Sequence, residues 1–133
     1  MYVFDTDTLS NLLKKIPSQN LLNTLEQIPA DQQFTTAITI GEMIYGAWKS
    51  HRPDFFIRRL DSLVLPTVRV LSFDGTSGRI YGELKVTLQK QGRTVSEADL
   101  RIAAITLQHD FILITGNTAH FSVIPKLKIE NWL

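Results

Sequence analysis

The chain contains no cysteine. Disulfides, thiolate nucleophiles and zinc–thiolate sites are therefore excluded. Histidine is scarce too, with three in 133 residues, which argues against a histidine-rich metal centre. A metal bound here would be held by oxygen ligands, and those favour Mg²⁺ or Mn²⁺. There is little excess charge of either sign: the formal net charge is +1. That argues against broad electrostatic wrapping of nucleic acid, though not against a local basic rim. No apolar run approaches the length of a membrane span, so no membrane association is expected. The N-terminus, Met1-Tyr2-Val3-Phe4-Asp5, has neither the basic region nor the long apolar region of a signal peptide. The expectation is a cytoplasmic protein. Repeats, low-complexity tracts and linkers are absent as well, and the length suits one domain with one core.

What is present alternates between two periods. Tyr2-Val3-Phe4 reads as a buried strand that stops at Asp5. Leu9, Leu12, Leu13 and Ile16 follow at helical spacing, ended by Pro17. Ser18 can cap a second helix carrying Leu21, Leu22, Leu25 and Ile28. Phe34 to Ile38 reads as a strand, and Ile40, Met43, Ile44, Ala47 and Trp48 as a helix stripe. Pro53 opens another helix with Phe56, Ile57, Leu60, Leu63 and Val64. Val68 to Leu71 is a third strand. A longer helix runs from about Asp74 to Gln91, with Gly92 placed as its C-terminal glycine. Ser96 can cap a helix bearing Leu100, Ala103, Ala104 and Leu107. Phe111 to Ile114 is apolar on both faces, which predicts a strand in the middle of a parallel sheet. Lys126 to Ile129 is the last strand, after a short turn or helix around Ala119 to Val123. Strands alternating with helices predict an α/β fold, a mostly parallel sheet of about five strands with helices on both faces.

Ligands of such sheets bind at the carboxyl ends of the strands. The sequence puts Asp5 there after the first strand, and Thr115-Gly116-Asn117 after the strand read as central. Two further acids share a local pattern. In Thr39-Ile40-Gly41-Glu42 and Ser96-Glu97-Ala98-Asp99 a hydroxyl residue precedes an acid by three, at a predicted helix start. The first-turn dipole would keep both acids ionised. On a helical wheel Glu42 points away from the apolar stripe, with Gly46 one turn on. Each acid taken alone also fits a capping box. Several acids on one side of one sheet form a negative cluster that a cation would neutralise. Lys49 and Arg52, with Arg58 and Arg59 nearby, could contact phosphates, as could Arg101. A solvated helix end is the plainer reading of that run. Trp48 is read as a core or interface residue rather than a base-stacking platform, and Tyr45 could stack on a base, with packing the plainer reading.

The segment Tyr2 to Ser10 resembles the opening of PIN-domain ribonucleases, especially the VapC-type toxins of bacterial toxin–antitoxin systems. The resemblance continues through Ile38 to Gly46, Ala98 to Ala104, Leu113 to Phe121 and Leu127 to Trp132, in the family's order along the chain. It implies a three-layer PIN-like fold, with residues 1–133 as a single ribonuclease domain. It implies an endoribonuclease that cleaves RNA phosphodiesters, with Asp5, Glu42 and Asp99 as the acidic centre and Mg²⁺ or Mn²⁺ as cofactor. Asp5 and Asp99 would be direct ligands. Glu42 would ligate a second ion, orient water or act as base. Many relatives have a fourth acid in the block that here reads Asn117, and an acid where His120 stands. Asn117 would hydrogen-bond a water or a neighbouring carboxylate. The implied partners are RNA, a small antitoxin whose arm covers the site, and a second copy of the chain. Leu9, Leu12, Leu13, Ile16, Leu21, Leu22 and Leu25 would supply surplus apolar surface for that homodimer. Competing readings are a non-catalytic PIN-like scaffold and a receiver-type signalling domain. The receiver reading would need Asp74 as a phosphoacceptor, whereas Asp74 reads better as a helix cap.

Overall fold

A computed structural model describes all 133 residues. Five strands form one sheet: β1 (Tyr2–Phe4), β2 (Gln33–Thr36), β3 (Arg69–Leu71), β4 (Ile112–Ile114) and β5 (Lys128–Glu130). Their order is β3-β2-β1-β4-β5, and every neighbouring pair is parallel. Seven helices surround the sheet: α1 (Thr6–Leu12), α2 (Gln19–Glu26), α3 (Ala37–Lys49), α4 (Pro53–Arg59), α5 (Gly75–Lys90), α6 (Glu97–His109) and α7 (Thr118–Phe121). None is long and apolar enough to cross a membrane.

Alternation along the strands divides the interior into two layers. Val3, Phe34 and Leu113 turn to one face, where Leu84, Leu88, Leu100 and Ala103 of α5 and α6 cover them. Phe4 and Ile114 turn to the other, packed with Leu9, Leu21, Met43 and Leu60. Trp132 closes that second layer. Its ring sits 4.9 Å from Tyr2 and 5.7 Å from Phe4, and only 6% of the residue is exposed.

The sheet centre is β1, not the strand Phe111–Ile114 that the sequence placed there. Apolarity on both faces reports burial, which β1 and β4 share, and does not rank a strand within its sheet. The chain steps outward from β1 through β2 to β3, then crosses back to β4 and β5 on the other side. The point of reversal is the gap between β1 and β4.

Several boundaries differ from the periodicity reading. The first helix stops at Leu12, and Ile16 is 84% exposed. Asn11 accepts a hydrogen bond from the Ser18 backbone at 2.8 Å, which turns the chain before Ile16 can join the stripe. The helix opened by Pro53 ends at Arg59, and a π-type turn carries Leu60 and Val64 inward while Leu63 stays exposed. β2 ends at Thr36 rather than Ile38, because Thr36 caps α3 through its hydroxyl, 3.1 Å from the Thr39 amide. Gly92 has φ of +68° and follows α5, as its position suggested.

The N-terminal leucines are internal. Leu9 and Leu21 are fully buried, while Leu12, Leu13 and Leu25 pack against the second layer. The apolar surface left there lies on the half-buried Leu12, Leu13, Leu22 and Leu25 and on exposed Ile16. Trp48, read as part of a core stripe, is 64% exposed.

Trp132→Ala should cost about 3–5 kcal/mol, the usual range for deleting a buried large aromatic. Urea denaturation of the two proteins, compared at equal m-value, checks this.

Candidate active site

Asp5 is the residue that joins β1 to α1. Its backbone N–H donates to the Ile114 carbonyl at 3.1 Å, extending the β1–β4 ladder by one bond. Its side chain then caps α1, accepting the Thr8 amide at 2.9 Å. The Thr8 hydroxyl donates to the same Ile114 carbonyl at 2.9 Å, and the Thr35 hydroxyl donates to the Phe4 carbonyl at 2.8 Å. The hydroxyls of Thr8 and Thr35 therefore pin the strand ends around one carboxylate, and the Thr115 hydroxyl is near enough to favour its charged form. Thr115 also accepts the Asn117 amide at 2.9 Å. Thr8, Thr35 and Thr115 are all fully buried. The sequence signal for them was only that each lies within four residues of a strand end.

A crevice of about 210 Å³ opens above these strand ends, lined by Asp5, Asp7, Glu42, Ser96, Asp99 and Asn117 among others. Asp99 lies in the first turn of α6, and Ser96 caps that helix through the Asp99 amide at 3.2 Å. Glu42 was expected in a first helical turn, and the structure corrects this. With Thr36 as the cap, Glu42 falls in the second turn of α3, and the Thr39 hydroxyl pairs with Thr36 instead. Its carboxylate is held by the Thr6 hydroxyl at 2.6 Å. Asn117 stands at the start of α7 with its backbone fixed by Thr115.

His120 was read as a surface or cap histidine. Instead its Nε2 lies 2.9 Å from Asp99 Oδ2. One turn of α7 brings it there, a contact with no local sequence signature. Lys49, Arg52, Arg58, Arg59 and Arg101, the basic residues named from the sequence, lie outside the crevice lining. Arg101 pairs with Glu97 at 3.6 Å and lies 5.3 Å over the Tyr81 ring, facing α5. Lys49 lies 5.2 Å over Tyr45 and Arg52 lies 4.0 Å over Phe55. Asp74 caps α5 in a reciprocal box with Ser77. With the order β3-β2-β1-β4-β5 in place of 2-1-3-4-5, the receiver reading fails.

Asp5 is 4% exposed. Burial dominates its chemistry and raises its pKa from 3.8 to about 6, against the lowering effect of Thr115 and Thr8. The Coulombic contribution comes from Asp7 and is smaller. No ion pair reaches this carboxylate. A buried, cation-free carboxylate beside other oxygen donors matches the donor set of a hard divalent ion. No three carboxylates or imidazoles stand close enough to enclose one ion, and His120 contacts one Asp99 oxygen.

Residues 2–127 match the sequence profile of the PIN domain. Ribonuclease VapC2 of Haemophilus influenzae is 30% identical over 132 residues, covering 99% of this chain and 98% of its own length. The VapBC2 structure from Rickettsia felis, bound to a DNA fragment from its promoter, superposes with a TM-score of 0.90 at 28% identity. It covers 99% of this chain and 98% of its own. The VapBC-1 structure from nontypeable Haemophilus influenzae gives 0.86 at 32% identity, over 98% and 97% of the two chains. The chain belongs to the PIN-domain family. Within it, the chain is related to the VapC toxins of type II toxin–antitoxin systems.

The raised Asp5 pKa has a definite consequence for stability. The fold binds this proton more tightly than the unfolded chain, so stability falls as pH rises from about 3.8 to about 6. Asp5→Asn removes that dependence while still offering an oxygen to the Thr8 amide. In EDTA it should stabilise the protein above pH 6 by up to about 3 kcal/mol and have little effect below pH 4. Denaturation midpoints of both proteins across that window test the sign.

Proposed function

We propose that the protein is a divalent-metal-dependent endoribonuclease and the toxin of a toxin–antitoxin pair. The observation that carries this reading is one crevice at the chain reversal, lined by Asp5, Glu42, Asp99 and Asn117. VapC ribonucleases among the relatives support the activity. Asp5 and Asp99 would hold Mg²⁺ or Mn²⁺. Glu42, fixed by Thr6, would serve a second ion or orient the attacking water. Asn117 would donate a hydrogen bond from the opposite wall. A bound ion of this kind offsets the charge of a phosphodiester and makes water more acidic.

The same reading includes protein partners. VapBC complexes among the similar structures support an antitoxin. An apolar groove of about 460 Å³, lined by Leu13, Met43, Phe56 and Leu60 among others, shares Thr6 and Glu42 with the crevice. An antitoxin arm lying in it would end at the acids. Pairing of two copies is proposed on exposed Val70 of the edge strand β3 and Phe73 just after it, rather than on the N-terminal leucines.

Purified protein should cleave RNA with Mg²⁺ or Mn²⁺ and stop in EDTA. Asp5→Asn should lower the rate at least about a hundredfold with the fold intact, the scale for removing a charge-stabilising group from a reaction centre. Asn117→Asp should retain activity and tighten Mn²⁺ binding by restoring one negative charge. Divalent ions should also raise the melting temperature of wild type more than that of Asp5→Asn. Cleavage that persists in EDTA or in Asp5→Asn refutes the mechanism. A protein indifferent to divalent ions would instead be a non-catalytic scaffold.

A further inference from the structure

The outer face of α3 carries large side chains that the core does not use. Tyr45 and Trp48 are each 64% exposed. In a helix of 3.6 residues per turn, Tyr45 follows Glu42 by three positions and Lys49 by seven, so all three share one narrow stripe. Glu42 is in the acidic crevice. Seven residues at 1.5 Å each place Lys49 about 10 Å further along the axis. Arg52 follows just beyond the helix end, its guanidinium 4.0 Å over Phe55. Lys49 in turn lies over Tyr45. The line from the crevice thus runs acid, aromatic ring, ammonium, guanidinium. Opposite Lys49, Trp48 widens the aromatic surface. Gly46, with open space around it, leaves this side of the helix low.

Exposed rings with cations beside them suit a single nucleic-acid strand. Every base has a face that can stack on an aromatic ring, and each phosphate presents an anion to the intervening cation. A protein partner on this stripe would have to bring acids of its own against Lys49 and Arg52. A duplex would present phosphates but no base faces to Tyr45 and Trp48. The crevice itself is lined by no lysine or arginine, so a phosphate backbone approaching it must be drawn in from a neighbouring surface.

We propose that Tyr45, Trp48, Lys49 and Arg52 form a binding rail for single-stranded RNA, leading one strand along α3 into the acidic crevice. Bases stack on Tyr45 and Trp48, and Lys49 and Arg52 contact successive phosphates. The proposal rests on the ribonuclease reading, and it makes RNA binding separable from cleavage.

The test measures fluorescence anisotropy of a short labelled RNA of random sequence, in EDTA, on protein whose acids are intact. Tyr45→Ala and Trp48→Ala should each weaken binding at least about fivefold. Lys49→Ala and Arg52→Ala should each reduce the slope of log K against log salt by about 0.7. The fluorescence of Trp48 should be quenched by RNA, with buried Trp132 the residual emission in Trp48→Phe. Circular dichroism should be unchanged, because all four residues are exposed. A hairpin lacking single-stranded tails should bind more weakly than the open strand. Wild-type binding and cleavage that survive all four substitutions overturn the rail and leave the ribonuclease reading standing. A wild type that binds no RNA overturns the rail, and if it also fails to cleave, the ribonuclease reading falls with it. If Tyr45→Ala or Trp48→Ala splits a dimer or an antitoxin complex in light scattering without changing RNA affinity, the face is a protein interface and the rail is overturned.

Discussion

The arrangement of this molecule depends on how one carboxylate is buried. Asp5 extends the ladder of the central strand by one bond and caps α1, so its position is fixed by the sheet and the helix together. The Thr8 amide and the Thr115 hydroxyl lower the cost of the charge there, and the desolvation penalty still exceeds both. Thr8 adds a second hydrogen bond to the Ile114 carbonyl, and Thr35 bonds the carbonyl of Phe4. With these groups satisfied, the unmet demand in the region is the charge of Asp5 itself. The reversal of strand order between β1 and β4 opens a gap above it, and α3, α6 and α7 bring their polar residues to its rim.

The local sequence makes part of this legible. The five strands and the helices between them follow from a change of apolar period, and the acids follow from their position after strands or at helix starts. Ser96 and Asp99 behave as their spacing suggests. Thr39 and Glu42 have the same spacing and behave differently. Thr36, also a hydroxyl residue, lies three positions earlier and captures the cap, so α3 starts sooner and Glu42 is carried into its second turn. Spacing alone cannot choose between two adjacent capping threonines. The choice is made by β2, whose pairing with β1 and β3 ends where Thr36 must turn.

What the sequence could not show is chiefly long-range. His120 meets Asp99 and Thr6 meets Glu42 across twenty-one and thirty-six positions. Both contacts exist because α1, α3, α6 and α7 converge at one edge of the sheet. The rank of β1 over β4 is of the same kind, since it depends on where the chain crosses back. Exposure of Trp48 is a third case. A stripe of Ile40, Met43, Ile44 and Ala47 already covers the sheet face available to α3, leaving no interior site for the indole. Counting apolar residues along a helix overstates its buried face whenever the stripe is wider than its neighbours.

Asn117 and His120 together alter the balance of charge around Asp5. The resemblance places acids at both positions in many relatives, whereas here the crevice wall offers an amide and an imidazole. A neutral amide donates or accepts without adding repulsion, and the imidazole contact occupies one Asp99 oxygen. Fewer negative groups face Asp5, which agrees with Asp7 being its only Coulombic carboxylate neighbour among the causes of its shift. The penalty on Asp5 is therefore mainly one of lost water, not of crowded like charges. That distinction matters for what can relieve it. Repulsion between carboxylates is reduced by salt and by rotating side chains apart, while desolvation is relieved only by a proton or a cation brought into direct contact. A site whose strain is desolvation holds its demand for a cation at any ionic strength, and the buried threonine frame keeps that demand at one fixed point of the sheet.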